Sequence, residues 1–278
     1  MGQSSSRFQF TKSQYIPTLK VLQAAMFDFR YDPHAHEEYA FGVTLSGRQD
    51  FFSGGQYHRS SPGNVIIFNP DDVHDGQPGG DRTLDYIMLY VHPDQVEALF
   101  DTALGQEKST HFRFDSTLVQ DPMLRERITN AAQLITTATG NQIDQEDALY
   151  QIVERITQLG GAYQSGHICT RPDALLGLAK EYIHAHLDTD LSLEAISQAA
   201  HLSKFHFLRL FRQQLGITPY QYVINCRVNA ACSALEKGAS LSEVTFRYGF
   251  TDLSHFNRRF KRIYGVTPYQ YQRHLIAE

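Results

Sequence analysis

Two groups of side chains in this 278-residue chain have types and spacings suited to chemistry. The first is a set of imidazoles. His34 and His36 lie two apart, Glu38 follows two further on, and His74 comes after the run Asn64–Phe68 and the pair Asn69-Pro70. On a strand, positions two apart share a face, so His34, His36 and Glu38 are expected to point the same way. Three imidazoles and a carboxylate suit a first-row metal ion. They suit equally the polar floor of a pocket for one small ligand, with Tyr39, Phe41, Phe68 and Tyr86 as apolar walls. A third reading is that the histidines are satisfied structurally. The second group is basic, amide and small apolar side chains at helical spacing. It comprises Phe205, His206, Leu208, Arg209 and Arg212, and then Leu253, Ser254, Asn257, Arg258 and Lys261. Arginine binds guanine bidentately and asparagine binds adenine, whereas phenylalanine and leucine offer only apolar contact, as with thymine methyls.

The second group lies in a stretch that occurs twice. Phe207, Phe211, Gly216, Thr218, Pro219, Tyr220, Gln221 and Tyr222 recur at an interval of 49 as Phe256, Phe260, Gly265, Thr267, Pro268, Tyr269, Gln270 and Tyr271. Upstream the interval is 48, from Leu193 to Leu241 and from Ile196 to Val244, so the second copy carries one extra residue, placed in its turn at Thr251–Leu253. Each copy reads as a helix, a sharp turn and a second helix. In the second, Leu241, Val244 and Tyr248 are at helical spacing, Gly249 suits a turn with positive φ, and Asp252 caps a helix that buries Phe256, Phe260 and Ile263. In the first, Ser203 is the cap, Phe207, Leu210 and Phe211 face inward, and His201 stands where Gly249 stands. A helix-turn-helix places its second helix in the major groove. Thr218-Pro219 opens a further helix to about Glu236. At about 1.5 Å per residue it spans about 27 Å, which can hold two reading heads near the ~34 Å spacing of successive major grooves.

These residues carry a resemblance. From about Leu191 to Tyr271 the chain resembles the DNA-binding domain of the AraC/XylS family of bacterial transcription regulators. The most specific part is GFTDLSHFNRRFKRIYGVTPYQY, Gly249 to Tyr271, and the pair Arg227 and Ala231 fits the linker-helix pattern. The resemblance implies that Phe205, His206, Leu208 and Arg209, and then Leu253, Ser254, Asn257 and Arg258, approach bases. Arg212, Lys261 and Arg262 are better assigned to phosphates. It implies double-stranded promoter DNA as partner, with RNA polymerase as a further partner if the protein activates, which is the commoner mode in the family.

A net charge of −5 looks wrong for a nucleic-acid binder until the chain is split: residues 172–278 carry +3 and the remainder −8. A basic C-terminal part beside an acidic N-terminal part suits one DNA-binding domain and one domain with another task. No apolar run approaches a membrane span. The N-terminus, MGQSSSRFQF, lacks a signal-peptide core, and a cytoplasmic location is expected. Cys169, Cys226 and Cys232 form no metal-binding spacing; the latter two are expected to be buried in a helix.

Before residue 92 the chain reads as short strands: Leu19–Phe29, Tyr39–Leu45, Gln49–Phe52, Gln56–Arg59, Asn64–Phe68 and Leu84–Val91, punctuated by glycine turns. That spacing suggests a sandwich or barrel, of which cupin-type jelly rolls are one class. With His34, His36 and the Gly63-to-His74 interval, this part resembles the small barrel at the N-terminus of many AraC-type regulators. Metal-binding cupins keep a glutamate four or five residues after the His-X-His pair, where Ala40 and Phe41 stand here; Asn69 and Asp71 replace the proline and glycine of the second motif. These departures argue against a resident metal, and no cofactor is expected. Helices are expected at Pro93–Leu104, Pro122–Ala138 and Asp144–Ala162, then a polar linker at Gln164–Arg171 and a helix from Pro172 through Leu187. His184 and His186, two apart on that helix, point to different faces and make no site. The apolar stripes of the 122–162 helices are read either as packing against the barrel or, as the family resemblance implies, as carrying a homodimer contact.

The expected fold is α+β. An N-terminal cupin-like β-barrel with flanking helices (1–165) senses a small-molecule effector through His34, His36, Glu38, His74, Tyr39, Phe41 and Tyr86, and dimerises. An all-α domain (166–278) of two helix-turn-helix motifs, at about 191–212 and 241–262, joined by a linker helix, binds DNA without catalysis. The alternatives are a cupin-type metalloenzyme fused to a DNA-binding domain, and a regulator controlled by a protein partner.

Overall fold

The computed structural model describes residues 5–104, 112–163 and 171–276. They fall into two compact units on either side of the segment 164–170. The strand Tyr31–His34 (β3) is the exception, since it packs with the second unit, where the Asn225 amide donates to Pro33 O at 3.3 Å. The expected linker and Cys169 lie outside the described residues.

The first unit is two antiparallel sheets and a helical layer. Strands β1 (Arg7–Lys12), β2 (Leu19–Met26), β4 (Tyr39–Ser46), β5 (Gln49–Ser53), β6 (Gln56–Ser60), β7 (Val65–Phe68), β8 (His74–Pro78) and β9 (Leu84–Val91) precede helix α1 (Pro93–Leu104). Short strands β10 (Phe112–Phe114), β11 (Leu118–Val119) and β12 (Gly161–Tyr163) surround helices α2 (Pro122–Thr136) and α3 (Gln142–Leu159). The larger sheet runs β1-β2-β9-β4-β7-β11, and the smaller contains β8-β5-β6. Strands β1, β3, β8, β10, β11 and β12 are not among those expected from the sequence. The third helix is expected to reach Ala162, but Gly160 adopts φ 95° and turns the chain into β12.

Strand alternation gives the larger sheet two apolar faces. Leu19, Val21, Tyr39, Phe41, Val43, Val65, Ile67, Ile87, Leu89 and Val91 form one core with Leu124, Ile128 and Ile135 of α2 and Leu149, Ile152 and Ile156 of α3. The apolar stripes of both helices are therefore consumed inside the chain. The opposite face meets the second sheet: Phe68 packs edge-on against Phe51 at 5.6 Å, and Thr44 bonds Ser60 at 2.7 Å.

The second unit is helical: α4 (Arg171–Ala185), α5 (Leu193–Ala199), α6 (Lys204–Leu215), α7 (Pro219–Glu236), α8 (Leu241–Arg247), α9 (Leu253–Tyr264) and α10 (Pro268–Ile276). Its core is aromatic. Phe207 meets Phe211 at 5.3 Å, Phe211 meets Tyr222 at 5.5 Å, and Phe256, Phe260 and Tyr271 form a second cluster with centroids 5.5–5.6 Å apart. Cys226 and Cys232 are buried along α7, and His184 and His186 face different neighbours, Tyr222 and Tyr182. No helix among the described residues is long and apolar enough to cross a membrane.

Truncating a fully buried aromatic leaves a cavity that close-packed neighbours cannot fill. Phe256→Ala is expected to cost about 3–5 kcal/mol in urea-induced unfolding, whereas the exposed Phe205→Ala should leave the midpoint unchanged within about 0.5 kcal/mol.

Candidate nucleic-acid interface and effector site

The two reading motifs have matching turns. In the first, Leu202 N donates to Ser197 O at 2.9 Å and His201 N to Gln198 O at 2.9 Å; in the second, Phe250 N donates to Thr245 O at 3.0 Å and Gly249 N to Phe246 O at 3.1 Å. Every partner is displaced by 48. His201 (φ 54°) and Gly249 (φ 69°) are both left-handed. The next helices start at N-caps Ser203 and Asp252, displaced by 49, so the extra residue of the second copy is Thr251, inside the stretch expected. Asp252 caps α9 by accepting from His255 N at 2.7 Å, while the Ser203 hydroxyl makes no such bond. After each reading helix a left-handed glycine, Gly216 or Gly265, ends the turn, and Thr218 with Gln221, then Thr267 with Gln270, opens the following helix by a reciprocal cap.

The faces follow. Phe207, Phe211, Phe256, Phe260 and Ile263 are buried. Phe205, His206, Arg209 and Arg212 are exposed on α6, with Leu208 half-buried; Leu253, Ser254, Arg258 and Lys261 are exposed on α9, with Asn257 half-buried. Phe205 is 87% exposed, an unusual position for so large an apolar ring in a chain that buries most of its phenylalanines. Lys204 pairs with Glu194 and ties α6 to α5.

The barrel floor differs from the sequence expectation. His36 and Glu38 lie in the connection between β3 and β4, not on one strand. His36 and His74 do come together, with ring centroids 5.0 Å apart, and His74 stacks on Phe68 at 3.7 Å. His34 belongs to the second unit. Each of the three Nδ1 atoms lies 2.8 Å from a carbonyl oxygen, of Asp32, Glu38 and Asp72 for His34, His36 and His74 respectively. A carbonyl accepts only, so each Nδ1 carries the proton and the neutral ring keeps its acceptor lone pair on Nε2. Burial lowers the pKa of His36 against the pull of Glu38 and favours the neutral ring.

Tyr39 and Phe41 are not barrel walls. Tyr39 stacks with Phe41 at 6.2 Å, packs on Phe100 at 6.0 Å, and bonds the carbonyl of Phe112, all on the helix side of the sheet. Directly paired residues of adjacent strands share a face, and Tyr86 pairs with Thr44 while Tyr90 pairs with Ala40. Phe68, Tyr86 and Tyr90 therefore face inward, opposite to Tyr39 and Phe41. The replaced positions of the second motif have structural work. Asn69 accepts from Phe114 N at 2.7 Å and donates to Asp72 at 2.9 Å, and Asp71 adopts φ 65° where the resemblance implies glycine.

Sequence reasoning missed Lys20. Its ammonium meets Glu38 at 2.9 Å, and both side chains are largely buried, at 9% and 19% exposure. The signal was a single lysine within the otherwise apolar-rich strand LKVLQAAM. Burial alone would raise the Glu38 pKa, but the Lys20 ammonium and its hydrogen bond, with His36 beside them, outweigh it and hold the group at about 2. Among the described residues no three His, Cys, Asp or Glu side chains are grouped so as to hold a metal ion.

A carboxylate whose folded pKa lies below its unfolded value of 4.5 adds stability above that pH and loses it as pH falls toward 2. At pH 7 Lys20→Met is expected to destabilise the first unit by about 3–5 kcal/mol, because Glu38 stays buried without its ammonium. Adding Glu38→Gln should recover most of that loss. The check is urea unfolding from pH 7 to pH 3, with the deficit of Lys20→Met shrinking as pH falls, first as buried Glu38 of the variant takes up its proton and then as the wild type loses its ion pair.

Comparison with known proteins agrees with both halves. An AraC-like ligand binding domain matches residues 21–153, and a helix-turn-helix domain matches residues 196–274. The uncharacterised HTH-type transcriptional regulator YbfI of Bacillus subtilis is 28% identical over 228 residues, 81% of each chain. The HTH-type transcriptional activator RhaS of Citrobacter koseri is 25% identical over 231 residues, 80% of each chain. Among solved structures, ToxT of Vibrio cholerae with a bound unsaturated fatty acid superposes with a TM-score of 0.59 over 100% of this chain and 98% of its own, at 11% identity, a likeness of fold. The chain belongs to the AraC family of transcription regulators, with an AraC-like ligand-binding domain followed by a DNA-binding domain of two helix-turn-helix motifs.

Proposed function

We propose that this regulator reads two successive major grooves with α6 and α9 of one chain and changes its promoter occupancy when a small molecule binds in the N-terminal barrel. The observation that carries the DNA half is the shared 48/49 register of two turns, two caps and two buried aromatic faces. It leaves Arg209 and Arg258 at the same outward position of their helices. Phe205, His206, Leu208, Arg209, Leu253, Ser254, Asn257 and Arg258 approach bases; Arg212 and Lys261 take phosphates. Residues 1–165 sense and dimerise, and residues 166–278 bind DNA. The protein works in the cytoplasm as a homodimer and activates transcription through RNA polymerase, a mode supported by its likeness to RhaS, which is named a transcriptional activator.

The effector half rests on the inward cluster. His36 and His74 stand with ring centroids 5.0 Å apart, and the Lys20–Glu38 pair supplies both charges. Phe68, Tyr86 and Tyr90 supply apolar walls. A few placed polar groups in an apolar surround suit one small polar ligand. That ligand acts only if it binds one conformation better than another.

Two outcomes test this. Arg209→Ala or Arg258→Ala should cost about 1–3 kcal/mol at the true operator and relax base preference there. Arg212→Ala should weaken all sequences alike and flatten the salt dependence by about one unit. Equal weakening of operator and random DNA by Arg209→Ala in quantitative gel shifts would refute its base contact. For the barrel, His36→Ala or His74→Ala should abolish the response to the effector found by a thermal-shift metabolite screen, with basal operator binding nearly intact. A folded His74→Ala protein responding at unchanged effector concentration would place sensing elsewhere.

A further inference from the structure

Arg227 lies at the middle of α7 and belongs to neither reading helix. Its Nε donates to Leu187 O at 3.1 Å, its Nη2 to Thr189 O at 2.7 Å, and its Nη1 to Gly249 O at a longer 3.4 Å. Leu187 and Thr189 lie in the connection from α4 to Ser192, the N-cap of α5, at the entry to the first motif. Gly249 is the left-handed turn residue of the second motif. One planar guanidinium therefore joins α7 to backbone at the entry of one motif and at the turn of the other. A charged fork bonded to carbonyls is stronger and more directional than a neutral contact.

The second turn favours glycine on two grounds. Its φ of 69° favours glycine, and a Cβ there would stand 2.7 Å from Arg227 Nη1. At the equivalent turn of the first motif, His201 adopts φ 54° and is exposed, so a side chain is accommodated.

We propose that Arg227 is a positioning residue for DNA reading, fixing the separation and angle at which α6 and α9 meet successive grooves. Each head then binds its own half-site whether or not Arg227 is present, and Arg227 determines whether both bind at once. The gain from linked heads is lost when geometry forbids simultaneous engagement. Lysine offers a point charge in place of the fork and cannot hold three carbonyls in this arrangement.

The test uses the full-length protein and an operator selected by the wild type from random DNA. Probes carry both half-sites, either one scrambled, or both with an inserted base pair. This rests on the two-groove reading: a wild type that binds intact and half-scrambled probes equally would overturn that reading and this proposal with it. Given wild-type discrimination, Arg227→Lys and Arg227→Gln should lose about tenfold or more on the intact probe but about twofold or less on each half-scrambled probe. They should also tolerate the inserted base pair better than the wild type. Gly249→Ala, which pushes into Nη1, should show the same pattern. Loss by the same factor on every probe, with a lowered melting temperature, would mean a purely structural role. Unchanged preference for the intact probe in folded Arg227→Lys protein would overturn the proposal alone.

Discussion

Both reading motifs are built against α7, and its burial sets what either can do. Tyr222, Val223, Val228, Cys232 and Leu235 of that helix are buried. The first motif packs on it through Phe211 and Tyr222, and the second unit's C-terminal helix binds it through Tyr271 to Glu236 at 2.7 Å and Gln272 to the carbonyl of Leu235 at 3.4 Å. Tyr264 of α9 adds a bond to Asn229 at 3.2 Å. A spacer held this way keeps side-chain and hinge entropy out of the binding step, so less is lost when DNA is engaged. The reciprocal cap at Thr218 starts the spacer at a defined residue, and the same cap at Thr267 starts the helix that closes the second motif.

The N-terminal unit depends on a different constraint. Its larger sheet has no polar face: one side is the core shared with α1, α2 and α3, and the other meets the second sheet. Charge enters the inner side through Lys20 and Glu38, which satisfy one another, and through imidazoles whose tautomers are set by neighbouring carbonyls. A ligand inside touches only the inner face, and its effect on the helical layer must pass through the sheet backbone or its loops. Close packing makes such a sheet respond in discrete steps, because few intermediate arrangements fill space.

The helical half was the more legible from sequence because its signals are local. Caps, left-handed turn glycines and aromatic pairs at fixed intervals each specify a residue, and they recur, so the register could be checked against itself. The barrel was legible as a class. Strand β9 has the bounds expected from sequence, whereas β8, HDGQP, reads as a turn because it holds a glycine and a proline and no apolar alternation, and β3 contains Pro33. β1 did carry a signal, the alternation of Phe8 and Phe10, both buried. Tyr39 and Phe41 were assigned to the wrong face because facing depends on which strand pairs with which. A strand apolar on both sides does not reveal that through composition. Lys20 was missed for a related reason: its partner Glu38 is 18 residues away, and only the fold makes the pair visible.

If one chain occupies two grooves on one side of the duplex, hydroxyl-radical footprinting of the full-length protein on its selected operator, combined with the number of chains bound, will show two protected patches per chain, about 10–10.5 base pairs apart. One protected patch per chain, with the second appearing only when another chain binds, would contradict that arrangement.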